Sequence, residues 1–258
     1  MADTVAPPQA QAQPVGRPIR PPLPAWPLKV VEAITYTPRM KRIVFQGETL
    51  DAFEWAPAQD VVLRMTDESG EPVRRHYTVR DHDPANRLLT IDFVLHGHGL
   101  AADWARNAKA GDEITVAGPR GRTVLNFDAD WHLFTGDETC IPGVFAMLER
   151  LPAGAKAFAF LEIQDAGEEQ PLHADADVKL TWIHRNGPPE PSSPRLISAF
   201  ETFEPPPGRG HAYVIGETST VQIQRRGLIA SGWDKSQISA EGYWRPGRLG
   251  GHDHVRDD

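Results

Sequence analysis

The segment Arg74-Arg75-His-Tyr77-Thr78-Val-Arg80 carries the densest chemistry in the chain. On a strand, Arg75 and Tyr77 fall on one face. The planar fork of Arg75 suits a pyrophosphate. Tyr77 can lie flat against an aromatic ring, and Thr78 offers a hydroxyl or a backbone amide to a ring nitrogen. A plain strand with a cationic exposed face is an equally good reading of the spacing. A second segment is His96-Gly97-His98-Gly99-Leu-Ala101-Ala102-Asp-Trp104-Ala105, which follows an apolar run and enters a helix. Free backbone N–H groups and a positive dipole end at such a turn suit a phosphate. The plainer alternative is a tight turn that needs glycine. Gly97-x-Gly99-x-x-Ala102 has the letters of the dinucleotide fingerprint. That reading fails because strands precede it and no acidic residue sits about 20 positions on. His96 and His98 have ligand spacing but no third partner, so no metal site is expected.

Composition narrows the function classes. The chain has 258 residues, 40% hydrophobic and 24% charged, as in ordinary globular proteins. A formal charge of −8 offers no basic field for nucleic acid or anionic membrane, so an anionic ligand needs a local Arg/Lys cluster. The single cysteine, Cys140, excludes an internal disulfide and a cysteine-rich metal or iron–sulfur site, and fits a cytoplasmic location. No apolar run is long enough to span a membrane, and residues 1–16 lack the pattern of a secretory leader. No P-loop and no Gly-x-Ser-x-Gly elbow is present, which removes the common phosphoryl-transfer and hydrolase readings.

The elements that must position these residues divide near residue 125. Residues 1–26, rich in Pro, Ala and Gln, predict a flexible tail. Short β-rich runs then recur at 34–36, 42–45, 61–65, 73–79, 88–95 and 113–116, separated by turn signals, with one helix at 101–108. They predict a small antiparallel barrel spanning 27–125. Over 126–247 strands at 131–135, 157–163, 178–184, 211–215 and 236–240 alternate with helices at 138–151, 194–203 and 218–231. That alternation predicts a doubly wound α/β unit of nucleotide-binding type. Residues 248–258 predict a frayed end.

The ordered set of motifs resembles the siderophore-interacting protein family, a branch of the ferredoxin-reductase-like superfamily. The matching pieces are Pro38-Arg-Met-Lys-Arg42, Arg75-x-Tyr-Thr-Val-Arg80, Asp92-Phe-Val-Leu-His96-Gly97, Ala101-x-x-Trp104-Ala105, Gly111-Asp112, Gly118-Pro-Arg-Gly121, Gly136-Asp-Glu-Thr139 with Pro142, Gly216-Glu217, Arg225-Arg226 and Gly242-Tyr-Trp-Arg245. They span 37–247 in the family's order. Three departures stand out: Gly99-Leu100 where the family has Gly-Pro, Cys140 and Gly143 where it has Ala, and Val214-Ile215 in place of a Trp before Gly-Glu.

The resemblance implies an antiparallel FAD-binding barrel and an NAD(P)H-binding-like α/β unit that together reduce ferric siderophores with electrons from NADPH or NADH. It implies FAD contacts from Arg75, His76, Tyr77, Thr78, Asp92, Val94, His96, Gly97, Ala101, Ala102 and Trp104. Hydride transfer is expected near Thr78. Asp137 and Thr139 are expected at the flavin edge or the incoming nicotinamide, although Gly-Asp-Glu-Thr is also a good helix cap. Trp244 is implied to shield the ring, with Arg245, Lys41 and Arg120 facing an anionic ferric siderophore and Arg42 and Arg122 as further cations. Two alternatives stay open: a reductase fed by ferredoxin, and a carrier of siderophore or flavin without turnover.

Overall fold

The computed structural model describes residues 22–97, 99–248 and 253–255. Strands β1 (Ala25–Thr37), β2 (Met40–Gln46), β3 (Asp60–Thr66), β4 (Pro72–Asp83), β5 (Leu88–Val94) and β6 (Glu113–Arg120) close into a barrel of order β1-β2-β5-β4-β3-β6. Closure depends on the length of β1. Its first residues pair with β6, from Ala25↔Ala117 to Lys29↔Glu113, and the rest pairs with β2, out to Thr37↔Met40. A register shift between Val30 and Glu32 bends the strand from one partner to the other. Inward Ile43, Phe45, Leu63, Val79, Leu89, Ile91, Phe93 and Val116 fill the interior. The helix of this half is α1 (Leu100–Asn107), between β5 and β6.

Sequence reading placed 1–26 in a tail, yet Ala25 and Trp26 already belong to β1. Pro24 and Pro27 disguise the strand: proline reads as coil, but its extended backbone is compatible with a strand's first residues. Trp26 Nε1 also donates to Gly118 O at 2.8 Å, tying the start of β1 to the end of β6. Residues 1–21 lie outside the described residues.

The second half is a sheet of order β12-β11-β10-β7-β8-β9. Its members are β7 (Trp131–Asp137), β8 (Lys156–Ile163), β9 (Asp177–His184), β10 (Gly210–Glu217), β11 (Ile238–Trp244) and β12 (Asp253–His254). Strands β7 to β11 run parallel, and β12 pairs antiparallel with Glu241 and Gly242. Helices α2 (Ile141–Leu148), α3 (Pro194–Glu201) and α4 (Thr218–Ala230) connect them. The chain starts the sheet at β7, builds outward through β8 and β9, then returns to β10 on the other side. The order therefore reverses between β7 and β10, a topological switch point.

Two expectations at the C-terminal end are corrected. The final strand continues through Gly242, Tyr243 and Trp244, so the aromatic pair lies on the sheet and not beyond it. Asp253–His254 forms an edge strand inside the stretch read as frayed. Both corrections come from main-chain pairing, to which polar and glycine-rich sequence is indifferent.

The two halves share one apolar core. Met40, Ala58 and Val94 of the barrel half cluster with Phe134, Ile141, Val144, Phe145 and Tyr213. Helix α2 is buried along its whole length and packs on the barrel side, where a Cβ at Gly143 would come within 3.2 Å of Thr78 Cγ2. Cys140, the N-cap of α2, packs over β7, since a Cβ at Gly136 would meet its sulfur at 2.6 Å. Of the two departures from the family pattern, Gly143 leaves room for Thr78 and Cys140 lies over Gly136.

Candidate functional site

A cleft of about 460 Å³ opens between the barrel and the C-terminal ends of the parallel strands. Strand β4 supplies Arg75, His76, Tyr77 and Thr78, and β5 with the following turn supplies Asp92, Val94, His96 and Gly97. From α1 come Ala101 and Ala102, and from the sheet come Glu138, Thr139, Tyr243, Trp244, Arg245 and Arg248. Twelve of the residues named from sequence therefore converge: Arg75, His76, Tyr77, Thr78, Asp92, Val94, His96, Gly97, Ala101, Ala102, Thr139 and Trp244, with Arg245 at the rim.

Strand alternation sets the β4 wall. Tyr77 rests against Phe93, ring centres 4.3 Å apart, and burial pushes its phenol up to about 12, so it stays neutral. Arg75 lies further out and its Nη1 donates only to the neighbouring Arg74 carbonyl at 3.0 Å. Thr78 is buried between Gly143 of α2 and the Tyr243 hydroxyl, with which it shares a hydrogen bond. Burial drives the Tyr243 phenol far above its ordinary value. Asp92 is gripped by Arg42, Nε to Oδ1 and Nη2 to Oδ2 both at 2.7 Å, with Arg80 Nε at 3.8 Å. Asp92 is thus a braced, ionic piece of the wall.

The turn into α1 is open to the cleft. Gly97 adopts φ +56, and a Cβ at Gly97 or Gly99 would meet nothing within 4 Å. Gly99 caps the helix without a side chain, and the small Ala101 and Ala102 of its first turn line the cleft. The acidic Asp103 is turned to Arg106 and to the Gly99 amide at 3.1 Å, while Arg106 also holds the Gly97 carbonyl. His98 lies outside the described residues.

Four named residues are placed elsewhere. Trp104, about 200° round the helix from Ala102, stacks on Phe45 at 6.3 Å and lines a different cavity with Leu100 and Asn107. Lys41 points its Nζ at the carbonyls of Arg106 (2.8 Å) and Ala108 (3.2 Å), closing the C-terminal end of α1. Arg120 sits behind the wall, 2.8 Å from His76 Nδ1, while Asp60 Oδ2 lies 2.6 Å from the same nitrogen. Asp137 is buried beneath the cleft as a hub. It accepts from Thr139 N at 2.9 Å, Glu217 N at 2.8 Å and Trp244 Nε1 at 2.9 Å. Burial first, and Glu138 second, push its carboxyl up.

Sequence reading missed Glu138, Tyr243 and Arg248 as wall residues. The first two lay inside quoted motifs. Arg248 gave no signal, because nothing local shows that the chain after β11 returns to the cleft.

The wall residues fit FAD. A guanidinium with no acidic partner among the described residues at Arg75, a helix start without a side-chain cap, and a neutral tyrosine against the floor would supply a charge for a pyrophosphate, amides for its oxygens and a flat apolar surface. The same fold, a barrel plus a doubly wound sheet, occurs in a ferredoxin-NADP+ reductase from Plasmodium falciparum, with a TM-score of 0.62 at 11% identity, covering 83% of this chain and 94% of that one. Residues 57–123 match the siderophore-interacting FAD-binding domain and residues 129–247 the siderophore-interacting protein family. A siderophore utilization protein from T. fusca superposes with a TM-score of 0.81 at 36% identity, covering 88% of this chain and 95% of that one. Ferric vibriobactin reductase ViuB of Vibrio cholerae is 33% identical over 183 residues, 69% of this chain and 66% of the relative. An NADPH-dependent ferric-chelate reductase of Escherichia coli is 27% identical over 227 residues, 79% and 86% of the two chains. The chain belongs to the siderophore-interacting protein family, and its barrel half is that family's FAD-binding domain.

Proposed function

We propose that this chain reduces Fe(III) held by a siderophore, using FAD in the cleft and electrons from a dihydronicotinamide nucleotide. The observation that carries the reading is the single cleft that joins a pyrophosphate-suited wall, Arg75 and the start of α1, to a cationic rim, Arg245 and Arg248. When bound, FAD supplies the exchange between a two-electron donor and a one-electron acceptor. Arg75 and the α1 amides would hold its phosphates. Tyr77, Thr78, fixed by Gly143 and Tyr243, and Trp244, whose indole donates to Asp137, would line the space for its ring system.

The acceptor step needs no protein acid or base. Hard oxygen donors hold Fe(III) more tightly than Fe(II), so reduction loosens the chelate. Arg245 and Arg248 attract the anionic complex to the rim. The relatives named as ferric vibriobactin and ferric-chelate reductases support this substrate class. The word NADPH in the second name supports the donor. A cytoplasmic location fits the lone, buried Cys140.

The test is anaerobic mixing of the FAD-loaded protein with NADPH or NADH, a ferric siderophore and an Fe(II)-specific chelator. Chelator colour that requires protein, FAD and donor together is the expected result. Colour only with reduced ferredoxin would move the donor to a protein, and no colour with any donor would leave a carrier.

A further inference from the structure

Doubly wound sheets receive dinucleotides in the crevice outside the carboxyl ends of their strands, at the switch point, with the pyrophosphate on a helix N-terminus. Here the switch lies between β7 and β10, and α4 starts at its mouth. The crevice is filled from within. The Glu217 carboxylate caps α4, accepting from Thr220 N at 2.8 Å and from Ser192 N at 3.1 Å. Burial opposes its ionisation, but the amides of Ser219, Thr220 and Ser192 outweigh it and hold the group below the usual carboxylate range. Beside it, Glu162 accepts from Ser193 Oγ, and Asp137 accepts from the Glu217 amide. The space left is about 10 Å³, at most one water.

The charge is as adverse as the volume. Asp137, Glu162, Glu190 and Glu217 line the crevice, and no Lys, Arg or His does so among the described residues. The basic side chains at and after the end of β9 are engaged by acids, and Arg195 at the start of α3 pairs with Glu190 at 3.3 Å. His184 pairs with Glu169 at 2.8 Å, and Arg185, its side chain 1% exposed, grips Glu138 at 2.6 and 2.5 Å. A dinucleotide in this crevice would bring its pyrophosphate against the ionised Glu217 carboxylate and the acidic Asp137, Glu162 and Glu190 side chains, with about 10 Å³ of space between them.

We infer that this chain recognises its electron donor by the dihydronicotinamide ring alone, in the cleft beside Thr78, Thr139 and Trp244, and leaves the adenosine diphosphate half unbound. This rests on the reading of a dihydronicotinamide nucleotide as donor. It implies that the 2′-phosphate and the adenine contribute little, so NADPH, NADH and reduced nicotinamide mononucleotide are near-equivalent donors.

The test pairs a binding measurement with a rate. The FAD-loaded protein is titrated calorimetrically with 2′,5′-ADP and with ADP-ribose, and a Kd weaker than about 1 mM is expected for both. A tighter Kd for either fragment overturns the inference. In parallel, anaerobic stopped-flow follows loss of flavin colour with NADPH, NADH and reduced nicotinamide mononucleotide. Second-order rate constants within about tenfold of one another are expected, and a wider spread favouring the dinucleotides overturns the inference. If none of the three bleaches the flavin, the donor reading fails and ring recognition falls with it. The titration needs no turnover and still reports separately whether the crevice is closed.

Discussion

Two helix starts face the centre of this molecule, and they differ in one residue of consequence. At α1 the cap is Gly99, which has no side chain to bond the amides that follow. At α4 the cap is Glu217, whose carboxylate takes the Thr220 amide itself. Both ends present orphan N–H groups and the same dipole. The first is open beside Arg75 and two alanines, while the second is sealed among carboxylates. Each helix start has the dipole that suits an anion, and the capping side chain decides which of the two stays open.

The largest effect should follow removal of the cation on the open side. Arg75→Ala is expected to weaken FAD binding by about three orders of magnitude, on the order of 4 kcal/mol, because the pyrophosphate would be left without its charged partner. Flavin fluorescence titration measures it, and an affinity within a few fold of wild type would remove Arg75 from the site. A control lies at the opposite end of the parallel sheet. His132 is buried with its Nδ1 unpartnered, and burial first, His211 second, lower it to about 4 from 6.5. The neutral form is the one folded, so the unfolded chain binds the proton more tightly. Stability is full above about pH 6.5 and falls as the pH drops from there to about 4, by roughly 3 kcal/mol at most. Urea unfolding across that range should show the loss, and His132→Gln should flatten it. A wild-type profile flat from 6.5 to 4 contradicts the assignment.

How much of this was legible in sequence depends on how local each cause is. Arg75, Tyr77 and Thr78 were readable because strand alternation alone fixes which of them share a face. The Gly97–Ala102 turn was readable because glycine before a helix has few meanings. Lys41 and Trp104 were misplaced because their partners, the end of α1 and Phe45, are set by how the helix lies on the barrel. Asp137 was expected at the flavin edge, but it lies beneath the cleft, accepting the Thr139 amide and, across 107 positions that no motif encodes, the Trp244 indole. The sealing of α4 by Glu217 was visible as Gly216-Glu217, and its meaning needed the crevice around it.

Smaller effects sharpen the contrast between the two helix starts. Glu217→Ala removes a cap and should cost about 1–2 kcal/mol of stability by thermal unfolding while FAD affinity stays within about twofold. A large loss of FAD affinity would mean that the sealed end contributes to the flavin site after all. Gly97→Ala places a side chain at φ +56 and should cost about 1 kcal/mol, with FAD affinity down about fivefold as the turn shifts. Smallest of all, Trp104→Phe keeps an aromatic against Phe45 and should change FAD affinity by less than about twofold, since its ring faces the other cavity. A tenfold loss there would return Trp104 to the flavin wall.

The central claim is that the open helix start and Arg75 hold FAD. The most direct measurement is the visible spectrum of the purified protein after incubation with FAD and desalting. About one equivalent of flavin retained, with its band near about 450 nm, is the predicted result, and the Arg75→Ala variant should emerge colourless. A wild-type protein that retains no flavin, or a variant that retains as much as the wild type, would contradict the account.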